Sequence, residues 1–308
     1  MNGHETSALL SSTVVAAVPL MLAGLGELVV EKSGVINLGV EGMMLVGAVT
    51  GYAVAATSGN PWLGMGCAVL AGMVMALLFA IVAIGLRANQ IATGLALTIF
   101  GTGLSAYIGK PYTSATLPHT IEGLPIPGLS HIPVVGPAFF SLSPVGYLAF
   151  LAFPCVGWFL YRTKSGLTLR AVGEAPDVAH AMGFPVQGIR YASALFGGVM
   201  AGLAGGYYAV VYLHVWQEQL TAGRGWIALA LVVFATWRPG RLLIGALIFG
   251  AVTAGQFFAQ GSGLAIPTQF LAMLPYVVTI VVLVLMSRNE TMIRLNAPAS
   301  LGKSSPTN

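Results

Sequence analysis

Long apolar runs separated by short polar breaks dominate the chain, and nine of them fall near 8–30, 35–57, 62–86, 90–109, 144–161, 190–213, 225–237, 242–260 and 268–287. Most reach the roughly 20 residues a helix needs to cross hydrocarbon. Barrel strands are excluded, because they alternate apolar and polar residues over about ten positions. The pattern predicts an all-α fold, a polytopic membrane helix bundle of about 8–10 transmembrane helices with broken or re-entrant segments. The segment 225–237 is short for a full crossing, and 214–224 fits a re-entrant stretch. Between the runs lie a Pro-rich excursion at 110–143 and a second polar excursion at 162–189. The transmembrane domain so predicted covers 1–288, followed by a polar tail at 289–308 that is expected to fray.

Composition strengthens this pattern. Of 308 residues, 56% are hydrophobic and 7% charged, whereas a soluble domain carries about 25% charged residues. The 40 glycines and 17 prolines suit helices that approach closely or break. The first apolar run lacks a basic flank before it and an obvious small-residue cleavage site, so it reads as a span, not a signal peptide. Cys67 and Cys155 fall in spans and are expected to be small buried hydrophobes. His4, His119, His131, His180 and His214 form no ligand-spaced set, and no metal site is expected.

Charge sets the expected orientation. With the N-terminus outside and the C-terminus cytoplasmic, Lys32, Arg87, Arg162, Lys164, Arg170, Arg190, Arg238, Arg241, Arg288, Arg294 and Lys303 lie inside. Only Lys110 and Arg224 lie outside, which is the bias that basic cytoplasmic loops produce. The net charge of +4 has this origin and does not imply a nucleic-acid partner. The excursion at 110–143 is then external and that at 162–189 cytoplasmic.

Polar groups inside apolar runs are the candidates for function, since they are expensive there. Glu27, Asn37 and Glu41 stand out in the stretch Gly26–Ala48. Helical spacing would put Asn37 and Glu41 on one face with Gly34 and Leu38, and Glu27 with Glu31. They either line a path for a hydroxyl-rich solute or hold a broken span in place. Glu31 and Lys32 are expected at the cytoplasmic edge, where charge costs little. Gly198, Gly202 and Gly206, flanked by Gly197, Ala201 and Gly205, form a doubled ridge of small residues for close helix packing, inside the subunit or against another. Tyr207, Tyr208, Tyr212, Trp216 and Trp226 suit an interfacial aromatic belt or a stacking surface. Gln256 and Gln260 suggest buried interhelical hydrogen bonds.

In the cytoplasmic excursion, Pro176 fits the first turn of a short helix and Asp177 the positive end of its dipole. Ala175, Val178, Ala179 and Met182 give one small apolar face, and Gly183 with Pro185 ends the helix. Such a helix either docks into a groove on a partner or merely connects two spans. Gly302-Lys303-Ser304 resembles the end of a phosphate-binding loop, but Ala297 stands where the first glycine belongs.

Two segments carry a family resemblance. The stretch from Gly26-Glu27 through Glu31-Lys32-Ser33-Gly34-Val35-Ile36-Asn37-Leu38-Gly39-Val40-Glu41-Gly42-Met43-Met44-Leu45 resembles permease subunits of bacterial ATP-binding-cassette importers, in the nucleoside/simple-sugar branch of the branched-chain amino acid/ribose/nucleoside superfamily. Leu169-Arg170-Ala171-Val172-Gly173-Glu174-Ala175-Pro176 resembles that family's coupling region, with Ala175 where relatives commonly carry Asn. Similarity continues through Gly223–Gly250, including Arg238-Pro239-Gly240. The resemblance implies coupling of ATPase closure through Arg170, Glu174, Pro176, Asp177, Ala179 and Gly183. It also implies a second, longer permease, a cytoplasmic cassette ATPase, an external substrate-binding lipoprotein and a place in the bacterial plasma membrane among its lipids. ATP and Mg would belong to the ATPase, leaving this chain without cofactor or bond chemistry. The alternative is an ion-coupled secondary transporter using Glu27 or Glu41. A passive channel is a third class.

Overall fold

The computed structural model describes residues 3–261, 267–287 and 296–303. Arg288, Arg294 and Ser304 lie outside them. Twelve α-helices account for most of the described chain, and no strand occurs among the described residues.

α1 (Gly3–Lys32) runs through the middle of the bundle and is buried from Val14 to Glu31 except at Val15. Residues 33–39 then leave helical geometry before α2 (Val40–Ser58) begins. α3 (Pro61–Ala80) is started by Asn60, whose side chain accepts from the amides of Trp62 and Leu63, and continues as a π-helical turn over Ile81–Gly85. α4 (Gln90–Gly109) leads into the Pro-rich excursion, which contains the short α5 (Val135–Phe139). α6 (Pro144–Arg162), α7 (Lys164–Glu174), α8 (Pro176–Ala181) and α9 (Val186–Gly206) follow. α9 extends into a π-helical turn over Tyr207–Tyr212. α10 (Arg224–Phe234), α11 (Pro239–Gly261) and α12 (Thr268–Ser287) complete the described helices.

Seven helices are long and apolar enough to cross a membrane, and the chain is a multi-pass membrane protein. α10 and the apolar part of α12, Gln269–Val281, are shorter. The nine apolar runs therefore all correspond to helices, but not all are full crossings. At 11 residues, α10 spans roughly 16 Å, about half the hydrocarbon thickness. Its N-terminus, reached by the irregular segment 213–223, lies level with the middle of α4, since Gly225 packs against Glu41 and the adjacent Gly42 packs against Leu97, Thr98 and Gly101.

Small residues let the central helices approach. α9 packs between α3 on one side and α1 and α2 on the other. A Cβ added at Gly47 of α2 would stand 2.7 Å from Gly202 Cα in α9, so these backbones touch. The ridge of Gly198, Gly202 and Gly206 faces Ala68, Gly72 and Ala76 of α3, inside the subunit. The exposed apolar residues lie mainly on α3, α4, α6, α11 and α12, the outer helices.

Several expectations are corrected. The tail does not fray over 296–303. Ser300 is buried, its amide and hydroxyl both donate to Gly173 O, at 3.1 and 2.6 Å, and Gly302 N donates to Gly34 O at 3.3 Å. Tyr207, Tyr208 and Trp216 are buried in the core and so form no headgroup belt, while Tyr212, at the end of the π-helical turn, is half-buried. Cys155 is exposed on the outer face of α6 and Cys67 half-buried. Gln260 is exposed on α11, which leaves no buried interhelical bond for it. Glu31 is buried, not edge-solvated, with Trp237 Nε1 donating to it at 2.5 Å.

Candidate functional site

The candidate site forms where two helices begin inside the bundle. Because 33–39 is non-helical, the four-residue spacing of Asn37 and Glu41 does not put them on one face, and they meet different partners. Asn37 Nδ2 donates to Glu27 Oε1 at 3.1 Å, and Asn37 Oδ1 accepts from Gly39 N at 3.0 Å. Asn37 thereby shapes the turn that starts α2 and is itself held by α1. Glu27 and Asn37 are both fully buried, and Glu27 Oε2 has no hydrogen-bond partner.

Glu41, in the first turn of α2, reaches across to α10. Its Oε1 accepts from Thr221 Oγ1 at 2.5 Å and Gly223 N at 2.9 Å, and its Oε2 from Gly225 N at 2.6 Å. A helix starting at mid-depth leaves first-turn amides without intrahelical partners, and a carboxylate there satisfies them at the positive end of the dipole. Glu41 is therefore the cap of α10, supplied by another helix. Gly225 must lack a side chain, since a Cβ there would meet the Glu41 backbone at 2.7 Å.

Beside this junction is a cavity of about 450 Å³, lined among others by Glu41, Thr98, Thr102, Gln219, Trp226 and Tyr276. Thr98 Oγ1 donates to Leu38 O at 2.8 Å and Thr102 Oγ1 to Thr98 O at 2.8 Å, leaving both hydroxyl oxygens able to accept. Tyr276 OH donates to Ala222 O, tying α12 to the loop before α10. Gln219 and Ala222 in that loop hold positive φ angles of 54° and 45°, a conformation that ordinary side chains rarely adopt. Arg224 lies over the Tyr208 ring, 4.4 Å from its centroid. Polar acceptors and aromatic faces thus meet in one partly open chamber, of a size in the range of roughly 300–1,000 Å³ typical of small-molecule sites.

At one end of the bundle, α7 and α8 form a separate projecting feature. Pro176 opens α8, Asp177 is exposed in its first turn, and Gly183 ends it at φ 85° with its amide donating to His180 O. The predicted single apolar face is divided. Ala179 is 3% exposed and packs with Val172 and Val186, whereas Val178 and Met182 are 59% and 70% exposed. Ala179 anchors the helix, and the outward pair, one turn apart, is the surface that a partner would meet. Glu174 is exposed, with Oε2 accepting from Ala299 N at 3.4 Å. Arg170 stacks on Tyr161, 5.1 Å from the ring centroid.

Arg190 is a residue whose role the charge pattern concealed. Counted there as a loop cation, it is buried, with Nε donating to Ser33 O and Nη2 to Ser300 Oγ, both at 3.3 Å. Together with Ser300 it fastens the base of α9, the turn after α1 and the end of α7 to one another. Among the described residues, no group of three or more His, Cys, Asp or Glu is arranged to hold a metal.

The family described as "Branched-chain amino acid transport system / permease component" matches residues 9–286. The chain belongs to this permease family. The permease is 43% identical to a putative glucose ABC transporter permease protein of Haloferax volcanii, over 95% of each chain. It is 35% identical to the guanosine ABC transporter permease protein of Bacillus subtilis, over 90% of this chain and 91% of that one. A nucleoside ABC transporter permease protein of Lactococcus lactis is 31% identical over the same shares. The family match over residues 9–286 takes in the capped α10, the residues of the chamber and α8.

Proposed function

We propose that the permease is the membrane-spanning subunit of an ATP-binding-cassette importer for nucleosides or simple sugars. The observation that carries this reading is the chamber at mid-depth, bounded by the starts of α2 and α10. Its acceptor oxygens, amide and aromatic rings suit solutes that combine many hydroxyls with a flat apolar face. Relatives named for glucose, guanosine and nucleosides agree with that chemistry. Glu41 is committed to three protein donors, so it does not resemble an open ion-binding carboxylate.

The basic end, with α7 and α8, faces the cytoplasm in this account, and the N-terminus with the 110–143 excursion faces outward, in the plasma membrane. A cytoplasmic cassette ATPase docks on α8 and supplies ATP and Mg, an external lipoprotein delivers substrate, and a second, longer permease covers the open side of the chamber. The chain breaks no bonds itself. Substrate passes as the bundle alternates between outward- and inward-open forms.

Uptake into proteoliposomes containing the complete transporter and its binding protein tests this. A panel of labelled nucleosides, pentoses and hexoses should reveal saturable uptake that requires internal ATP. Uptake driven by a proton or sodium gradient, with the ATPase omitted, would overturn it.

A further inference from the structure

The second half of the Pro-rich excursion is built unlike a loop in water. From Gly123 to Tyr161 the chain carries no Asp, Glu, Lys or Arg, whereas charged residues make up about a quarter of a soluble domain. Leu124, Leu129, Ile132 and Val135 are all exposed. Pro125, Pro127, Pro133 and Pro137 have no N–H to satisfy. Other amides are met within the segment itself. Leu124 N donates to Leu142 O at 2.8 Å, Ile126 N to Phe140 O at 2.9 Å, Ser130 N to Ile126 O at 3.0 Å and Gly136 N to Ile132 O at 2.9 Å. Tyr147 OH closes the base, accepting from Leu142 N at 3.2 Å and donating to Leu124 O at 2.9 Å. A backbone that meets its own hydrogen bonds loses less on leaving water.

Its position agrees with that chemistry. α5 lies alongside spanning helices, not beyond their ends. Ala138 and Leu142 form a buried cluster with Val14 of α1, and the Phe139 ring meets Phe150 edge-on, with centroids 6.0 Å apart. Phe150 is about 9 Å along α6 from that helix's first residue. The turn Leu129–His131 folds back onto α5, where a Cβ on Gly136 would strike Ser130 O. On α6, Leu148 and Leu151 flank Phe150 and are exposed, so the exposed tip adjoins the apolar outer face of a spanning helix. The charged and polar part of the excursion comes earlier, with His119 and Glu122 both exposed.

We propose that residues 124–135 form a lipid-contacting tip. Leu129, Ile132 and Val135 sit in the headgroup–acyl boundary of the leaflet at the N-terminal end of α1, a depth of roughly 5–10 Å that an interfacial apolar face reaches. The occupant of this surface is thus the lipid bilayer and not a protein partner. The test uses the complete transporter in nanodiscs, whose two membrane faces are both open to solvent, with Cys67 and Cys155 replaced by Ala. A bimane probe is attached in turn to Leu129→Cys, Ile132→Cys and Val135→Cys, and to His119→Cys as the reference in water. The ratio of quenching by doxyl-labelled phosphatidylcholine to quenching by iodide should be at least fivefold higher at the three tip positions than at His119. All three replaced side chains are exposed, and an unfolding temperature equal to the parent's checks that each variant is folded. Iodide quenching at the tip equal to that at His119 would put it in water and overturn the proposal. Protection from both quenchers would put a protein over the tip and overturn it too.

Discussion

A carboxylate buried in a membrane bundle must be met by donors, and two of the buried acids in this permease, Glu41 and Glu27, are met very differently. Glu41 accepts from one hydroxyl and two amides, while one oxygen of Glu27 has no partner. Replacing Glu41 by Gln puts an NH2 group where an acceptor is required. The expected cost is about 1.5–3 kcal/mol, because hydrogen bonds to a charged group are lost and a buried donor is left facing another donor. Glu27→Gln keeps the oxygen that Asn37 uses and should cost less. Thermal unfolding of both variants in detergent measures the difference, and equal losses would contradict the cap assigned to Glu41. Sequence spacing exposed these acids as costly but misplaced their neighbours. Four-residue spacing places side chains on one face only where 33–41 is helix, whereas Gly34, with φ 87°, and the non-helical run after it turn Asn37 toward α1 and Glu41 toward α10. Thr221 and Gly225 lie about 180 positions away, and no local pattern announces that partnership.

At the scale of elements, hydropathy was a sufficient guide to which segments are helical, since each span must satisfy its own backbone in lipid. It was a poorer guide to where α2 begins, because the break at 33–39 still carries Val35, Ile36 and Leu38, whereas the break at 213–223, with His214, Gln217, Glu218 and Gln219, stands out as polar. The small-residue ridge of α9 predicted close packing, and the structure adds the partners. Gly47→Ala should drive a methyl into the α9 backbone and markedly lower the yield of folded protein, as overpacking costs about 1–3 kcal/mol. Gly103→Ala is its control, since a Cβ there meets nothing within 4 Å. Size-exclusion recovery of the two variants should separate them clearly. For α8, the exposed pair carries the expected docking contact. Val178→Asp/Met182→Asp should leave membrane insertion unchanged and reduce ATP-driven uptake at least tenfold. Uptake equal to the parent would show that the ATPase docks elsewhere. The sequence pattern located this helix but merged its two faces, because Ala179 and Val178 look alike until the packing of Val172 and Val186 is seen.

At the scale of the whole molecule, α8 at one end of the bundle is joined to the chamber beside the start of α10. The connection is short and made of named contacts. Ser300 and Arg190 bind the end of α7 and the base of α9 to the turn after α1, Asn37 links that turn to α1, and Glu41 carries it to α10. These contacts form a continuous series from α7 to the loop that borders the chamber. The measurement closest to this claim is side-specific thiol labelling of Thr102→Cys, in a complete transporter with Cys67 and Cys155 replaced by Ala. Thr102 lines the chamber, so its accessibility reports which side is open. With ATP bound and hydrolysis blocked, labelling from one side of the membrane should change at least fivefold relative to the nucleotide-free state, and Val178→Asp/Met182→Asp should abolish that change. Labelling that is the same in both nucleotide states would contradict the account.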